Sequence, residues 1–170
     1  PVQAAVFSAP MWGIHIAPAM RGVAKTLALV TSKLGIGARL APGTASETYV
    51  LDAPFDDNSL TTDEDMWNYM KRQAEAQPDL KLGGPSLHWL HEALVECKAL
   101  RAMDAPDVHT RTYLGSNERI VDADRVVEHM ARWPKGELVR LDGREHEVLM
   151  ENPQARDALN AEITSFFLSA

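Results

Sequence analysis

Two acidic residues and one histidine have the types and the spacing that acyl-transfer chemistry needs. Glu118 and Asp122 follow a segment at residues 108–114 that predicts a β-strand, and His146 follows a second predicted strand at 138–141. The interval from Glu118 to His146 leaves room for one helix, one strand and their loops. Both side chains can then lie at the carboxyl ends of adjacent parallel strands, where open α/β sheets carry their sites. In that arrangement an imidazole acts as general base while a carboxylate holds its tautomer.

An acid followed by a histidine is also the order of the last two members of a Ser-acid-His triad. The nucleophilic serine precedes them in such chains, in a Gly-x-Ser-x-Gly turn between a strand and a helix. No segment of the 170 residues has that pattern. We therefore expect the serine and the oxyanion hole to lie on sequence before Pro1, and the chain alone to have little or no activity.

The first apolar segment supports the same expectation. Residues 2–8 are small and β-branched, which predicts a strand buried on both faces of a parallel sheet. Such a strand needs a neighbour on each side, whereas the two later strands supply only one. Those later strands alternate with helices predicted at 123–132 and 153–168, so the fold class is α/β with a mostly parallel sheet.

Residues 16–103 have the pattern of helices and loops instead. A helical repeat spans 17–34, and residues 36–58 predict an extended loop. Thr61 and Glu64 have the spacing of a capping box, and Ser86 is a suitable N-cap for a later helix running towards Met103. The first of these helices is predicted to hold Met66, Trp67, Tyr69 and Met70 on or near its inner face, and the second an apolar stripe of Leu87, Leu90 and Leu94 that could extend to Cys97.

Composition narrows the class of protein. A hydrophobic fraction of 45% with 24% charged residues is typical of a globular chain, and the net charge of −7 argues against nucleic-acid partners. A single cysteine, Cys97, excludes an internal disulfide and fits a reducing compartment. We expect a cytoplasmic location, with peripheral attachment to a membrane as the alternative; the composition leaves a homo-oligomer open.

Five segments, in order along the chain, resemble the lysophospholipase and monoacylglycerol lipase branch of the α/β-hydrolases, also described as serine aminopeptidase-like hydrolases. They are Phe7-Ser-Ala-Pro-Met11, Asn58-Ser-Leu-Thr-Thr-Asp63, Gly83-Gly-Pro-Ser-Leu-His-Trp89, Gly115-Ser-Asn-Glu-Arg-Ile-Val-Asp122 and His146-Glu-Val-Leu-Met-Glu151. Because they span nearly the whole chain, their agreement is more specific than any one motif.

The resemblance implies the C-terminal part of an α/β-hydrolase sheet with an inserted helical cap. Residues 1–15 would form a core strand and the lead into the cap, 16–104 the cap, and 105–170 the core that carries the acid and histidine. It implies hydrolysis of an acylglycerol or lysophospholipid ester without metal or organic cofactor, and the N-terminal part of the same fold as a partner. By position His146 is the general base and Glu118 the acid, where most members have Asp; Asp122 is the alternative acid.

Four apolar residues of this region are candidates for binding the acyl chain: Met11, Trp12, Trp67 and Trp89. An apolar stripe of this kind is more often plain core, although flexible Met side chains suit aliphatic ligands. His88 and His91 could share a helix face and bind zinc. Their spacing matches neither His-Glu-x-x-His nor its inverse, so no metal site is expected.

Two other interpretations stay open. The chain could be a noncatalytic binding or interaction module of half length that kept the cap. It could also be a peptidase or another esterase of the same superfamily, because function belongs to the site rather than to the fold. A start codon directly before Pro1 favours the module, whereas an upstream Gly-x-Ser-x-Gly favours the hydrolase.

Overall fold

The structure, a computed structural model, describes residues 2–17, Gly22 and 36–169. Most of the helix predicted at 17–34, including Met20, therefore lies outside the described residues. Five helices are described: α1 (Tyr49–Asp52), α2 (Glu64–Ala76), α3 (Leu87–Ala102), α4 (Ala123–Met130) and α5 (Pro153–Ser169). A single 3₁₀ turn at Pro78–Leu80 separates α2 from α3. Within the described ranges no helix is both long and apolar enough to cross a membrane.

Three strands form one parallel sheet: β1 (Ala4–Ser8), β2 (His109–Gly115) and β3 (Gly136–Leu141). β2 lies in the centre and pairs in parallel with both neighbours. The register places Phe7 opposite Thr112 and Thr112 opposite Leu138. The α/β class and the parallel pairing predicted from the sequence are therefore confirmed.

The strand that the sequence predicts to be buried on both faces is not the most buried one. β1 is only half-buried along residues 4–7, whereas β2 is buried at Thr110 and throughout residues 112–115. β2 has a strand on each side, while β1 pairs with one strand among the described residues. Among the described residues β1 is therefore less buried than predicted, because only one of its edges is paired.

Alternate side chains of the strands face two different helices. On one face Tyr113 of β2 packs with Leu159 of α5. On the other face Leu114 packs with Val126 of α4. The sheet is thus covered on both sides, which fits the apolar composition of parallel strands.

The helical stretch between β1 and β2 has an apolar cluster of its own. Trp67 of α2 is 2% exposed and packs with Val50 of α1 and with Ala74. The inner face of α2 follows Trp67, Met70 and Ala74, the spacing of one side of a helix. Tyr69, predicted on that face, is exposed because it lies about 200° around the helix from Trp67. The division of the chain at residues 15 and 104 stays a prediction.

The start of α2 differs from the predicted capping box. Asp63 is the N-cap, and its side chain accepts a hydrogen bond from the N–H of Met66. Thr61 lies outside the helix; its hydroxyl donates to the carbonyl of Met150, in the loop that holds His146. Asp is as good an N-cap as Thr, so a buried tertiary partner for Thr61 moves the start of the helix by two residues. The cap predicted for α3 is confirmed, since Ser86 Oγ accepts from the N–H of Trp89.

Candidate active site

Glu118 and His146 lie on neighbouring loops at the carboxyl edge of the sheet. Glu118 follows β2 and His146 follows β3, and these strands are adjacent and parallel. The loops are joined by backbone hydrogen bonds from Ser116 N to Leu141 O (2.9 Å) and from Asn117 N to Arg144 O (3.0 Å). This edge is where parallel α/β sheets present their functional side chains.

Gly115 allows the two loops to approach so closely. A Cβ at this position would overlap the carbonyl oxygens of Arg144 and Glu145, just before His146. We expect Gly115→Ala to lower the free energy of unfolding by about 1–3 kcal/mol, the range for overpacking, and to shift the ring resonances of His146. Urea denaturation and histidine NMR measure the two effects.

Gly43→Ala is the matched control for this substitution. Its methyl group would meet nothing within 4 Å, and its cost comes only from a backbone φ of +84°. It should therefore leave the His146 resonances in place. Unchanged stability and unchanged resonances in Gly115→Ala would contradict the close approach.

The carboxylate of Glu118 is buried and oriented by three hydrogen bonds. Its side chain is 1% exposed, and Oε2 lies 2.8 Å from Nδ1 of His146. Oε1 accepts from the N–H groups of Ile120 (2.7 Å) and Val121 (2.9 Å). An ionised carboxylate can only accept, so Nδ1 of His146 carries the proton of this bond and Nε2 is the nitrogen available as a base.

The two groups stabilise each other's charged form. Burial by itself lowers the pKa of His146, but the hydrogen bond to Glu118 and the charges of Glu118 and Glu147 outweigh it, so the pKa of His146 is raised. Burial likewise raises the pKa of Glu118, yet the hydrogen bonds from His146, Val121 and Ile120 outweigh it, so the pKa of Glu118 is lowered. Hydrogen bonds to a charged form favour that form.

These shifts give the pair a defined pH range. The contribution of Glu118 to stability is fully present above its unfolded pKa of about 4.3 and is lost as the pH falls through its lower folded pKa. The contribution of His146 is fully present below its unfolded pKa of about 6.5 and is lost as the pH rises through its higher folded pKa. The pair therefore stabilises the fold most between those two unfolded values.

We expect Glu118→Gln to lower the pKa of His146 relative to the unsubstituted protein. A neutral amide supplies no negative charge to the imidazolium, while burial continues to disfavour the charged ring. Histidine NMR titration measures the change, with His109, at the amino end of β2, as an internal reference. A His146 pKa that stays the same or rises in Glu118→Gln would contradict the pairing.

Asp122, the alternative acid, has a different contact. It is the N-cap of α4, and its Oδ1 accepts from the N–H of Arg125 at 3.3 Å. Its Oδ2 lies 3.9 Å from Nε of the same arginine. The structure thus brings Glu118 next to His146 and places Asp122 at the start of the following helix.

The loop that carries His146, residues 144–151, also packs against the segment leading into α2, residues 57–62. The N–H of His146 donates to Ser59 O at 3.2 Å, and that of Glu147 donates to Leu60 O at 2.8 Å. Asn58 shapes this segment, since its Oδ1 accepts from the N–H groups of Leu60 and Thr61 at 2.8 and 2.9 Å. Sequence reasoning found both segments as motifs but not their contact.

Arg119 ties the acid loop to the same segment. Its guanidinium donates to Asn58 O at 2.6 Å and to Asp57 Oδ1 at 2.8 Å. It also lies 3.6 Å from Glu145 Oε2. Sequence reasoning missed this residue, although it follows Glu118 directly within the quoted motif.

Two clefts lie on the described part of the chain. One of about 570 Å³ borders Glu118 and is lined mostly by polar residues, among them Asp57, Asn58, Arg119 and Glu145. The second, of about 470 Å³, lies between residues 12–16, α3 and the start of α4, and its lining combines apolar side chains with basic ones and Asp122. Its lining includes Trp12, Ile14, Leu94, Val95, Lys98 and Arg125.

The four candidate acyl-binding residues are spread over different environments. Trp12 lines the second cleft and packs against His129, with ring centroids 4.4 Å apart. Trp67 is enclosed in the helical cluster, while Met11 and Trp89 are exposed. A lining role for these residues stays a prediction.

His88 and His91 point to different surroundings on α3. Nδ1 of His88 lies 3.9 Å from Oε1 of Glu92 on an exposed face, whereas His91 borders the second cleft. In the part of the chain that the structure describes, no three His, Cys, Asp or Glu side chains converge so that they could hold a metal ion.

No protein-family model matches the chain. It is 26% identical over 156 residues to the probable lysophospholipase L2 of Haemophilus influenzae, an alignment that covers 91% of this chain and 48% of that protein. The chain therefore spans about half the length of this curated relative.

Two solved structures share the fold. A soluble variant of monoglyceride lipase from Saccharomyces cerevisiae, in complex with a substrate analog, superposes with a TM-score of 0.64 at 15% identity, over 95% of this chain and 54% of the lipase. The monoacylglycerol lipase of Paleococcus ferrophilus gives a TM-score of 0.66 at 12% identity, over 99% and 60%. The chain thus has part of an α/β-hydrolase fold, similar to the lysophospholipase and monoglyceride lipases.

Proposed function

We propose that this part of an α/β-hydrolase fold supplies the acid, Glu118, and the base, His146, of a Ser-acid-His triad that hydrolyses carboxylic esters. The substrate class is a monoacylglycerol or lysophospholipid. The observation that carries the proposal is the 2.8 Å contact between Glu118 Oε2 and His146 Nδ1 at the carboxyl ends of adjacent parallel strands. The names of the relatives support the substrate class.

In the proposed mechanism, Nε2 of His146 removes the proton of a serine hydroxyl as its oxygen attacks the ester carbonyl. Glu118 stays ionised and holds the imidazolium through Nδ1. The imidazolium then protonates the leaving glycerol oxygen, and the acyl group remains on the serine. Water, deprotonated by the same imidazole, releases the fatty acid and restores the enzyme.

The serine in this proposal lies outside the 170 residues, which contain no Gly-x-Ser-x-Gly segment. A nucleophile-bearing strand would add to the sheet at an open edge; among the described strands β1 and β3 each pair with β2 alone. Without that serine the chain forms no acyl-enzyme. Loss of even one oxyanion donor removes about another 2.7–4 kcal/mol of transition-state stabilisation.

Labelling with a fluorophosphonate tests this division of roles. The 170-residue chain should not be labelled at any serine, whereas the full-length gene product should be labelled once, upstream of Pro1. The full-length protein should also release fatty acid from 1-monoacylglycerol or lysophosphatidylcholine. Labelling within the 170 residues, or a start codon directly before Pro1, would contradict the proposal.

A further inference from the structure

A buried carboxylate that the proposed mechanism does not use follows His146 by five residues. The side chain of Glu151 is 1% exposed. Its Oε1 accepts from the N–H of Thr62 at 3.2 Å, and its Oε2 accepts from the hydroxyl of Thr62 at 2.6 Å. Oε2 also accepts from the guanidinium of Arg144 at 2.8 Å. Both oxygens are therefore occupied by partners from two different segments.

The side chains of Thr62, Arg144 and Glu151 form a closed triangle of hydrogen bonds, in which Arg144 and Glu151 are the two ends of the histidine loop. Arg144 donates not only to Glu151 but also to the hydroxyl of Thr62, at 3.1 Å. Arg144 precedes His146 by two positions and Glu151 follows it by five. The Arg144–Glu151 contact therefore closes the short loop that carries the imidazole, and Thr62 fixes that closed loop to the segment leading into α2.

Three further hydrogen bonds attach the histidine loop to residues 59–61 of the segment before α2. His146 and Glu147 donate to the carbonyls of Ser59 and Leu60, and the hydroxyl of Thr61 donates to Met150 O. The described contacts thus hold the loop at its start, its middle and its end.

Stability alone does not explain a buried charge at this place. Replacing a buried ion pair by apolar residues is often neutral or stabilising, because desolvation offsets the attraction. Charge-assisted hydrogen bonds do, however, impose a defined geometry. In an active site geometry matters strongly, since a displacement of about 1 Å can cost roughly 10²-fold in rate.

We propose that Glu151 is a positioning residue for His146: with Arg144 and Thr62 it fixes the loop so that Nδ1 meets Glu118 and Nε2 faces the nucleophile. This role rests on the proposed hydrolase function. The segment leading into α2 then also supports the imidazole of His146, because the hydrogen bonds of Thr62 attach this segment to the histidine loop.

A matched pair of substitutions at Thr62 tests the role in the full-length protein. Thr62→Val keeps the shape but removes the hydroxyl that Arg144 and Glu151 share, whereas Thr62→Ser retains it. We expect Thr62→Val to lower kcat by about 10- to 100-fold with KM within about twofold, and to change the ring shifts and pKa of His146. Thr62→Ser should behave as the unsubstituted protein in all four measurements.

Glu151→Gln extends the test to the carboxylate itself. It should lower kcat at least as much as Thr62→Val does, because the amide keeps only one acceptor oxygen, so its NH₂ group must face a donor, either the N–H of Thr62 or the guanidinium of Arg144. Glu137→Gln is the control, since Glu137 accepts from Arg111 (2.8 and 2.6 Å) near the amino end of β3, the opposite end of that strand from this loop. That variant should keep kcat and the His146 resonances unchanged.

The outcomes separate the two proposals. If Thr62→Val and Glu151→Gln reduce only the free energy of unfolding, with kcat and the pKa of His146 unchanged, Glu151 is merely structural and the positioning role is overturned. If the unsubstituted full-length protein hydrolyses neither 1-monoacylglycerol nor lysophosphatidylcholine, the hydrolase function is overturned instead. The histidine resonances still decide in that case whether Glu151 positions the ring.

Discussion

His146→Ala in the full-length protein is expected to lower kcat for monoacylglycerol or lysophospholipid hydrolysis by about 10⁶-fold, the scale seen when the base of a Ser-His-acid site is removed. Nδ1 of this residue contacts the buried Glu118, and in the proposed mechanism Nε2 exchanges the serine and leaving-group protons. Alanine supplies no base, so the serine hydroxyl stays protonated during attack. Steady-state release of fatty acid measures the loss.

His109→Ala is the control for a general effect of removing a histidine. His109 is exposed at the first position of β2, the opposite end of the strand from the loop of Glu118. This variant should keep kcat within about twofold, in line with the small effects of surface substitutions. A His146→Ala protein that retained more than a tenth of the activity would rule out His146 as the base.

Glu118→Gln is expected to lower kcat by about 10⁴-fold, the effect of neutralising the carboxylate that orients a catalytic histidine. The amide can bind His146 in the wrong tautomer, with its NH₂ group donating to Nδ1 and the proton moved to Nε2. It also cannot stabilise the imidazolium that forms during attack. KM should change little, because Glu118 is almost fully buried and its carboxylate is occupied by protein groups.

Asp122→Asn separates the two acids that the sequence leaves as alternatives. Asn caps a helix about as well as Asp, so α4 keeps its N-cap and the protein its stability. We expect kcat within about threefold of the unsubstituted protein. A larger loss in Asp122→Asn than in Glu118→Gln would make Asp122 the partner of the base and contradict the proposed role of Glu118.

The order and type of the elements could be predicted because they depend on short-range patterns. The strand predicted at 108–114 is found at His109–Gly115, and the helix predicted at 153–168 is found at Pro153–Ser169. Parallel pairing of β2 with β3 then follows from the intervening helix, which returns the chain to the same end of the sheet. The element order and this parallel pairing are sufficient to place Glu118 and His146 on neighbouring loops at one edge of the sheet.

Local patterns were insufficient where two partners compete for one side chain. Thr61 has the hydroxyl of an N-cap, yet its partner is Met150, which lies far away in the sequence. Asp63, two residues later, is the N-cap instead. β1 is likewise less buried than its apolar residues predict, because among the described strands it pairs on one edge only.

The sequence by itself determined that an acid and a histidine follow consecutive strands, because strand periodicity and loop length are properties of neighbouring residues. Only the tertiary structure decided which acid meets the imidazole. Glu118 is held by two backbone N–H groups and turned towards His146, while Asp122, four residues later, caps α4. The same holds for Glu151, whose partners Arg144 and Thr62 become neighbours only when the histidine loop packs against the segment before α2. Contacts between residues distant in the chain depend on how elements pack, and no local pattern encodes that packing.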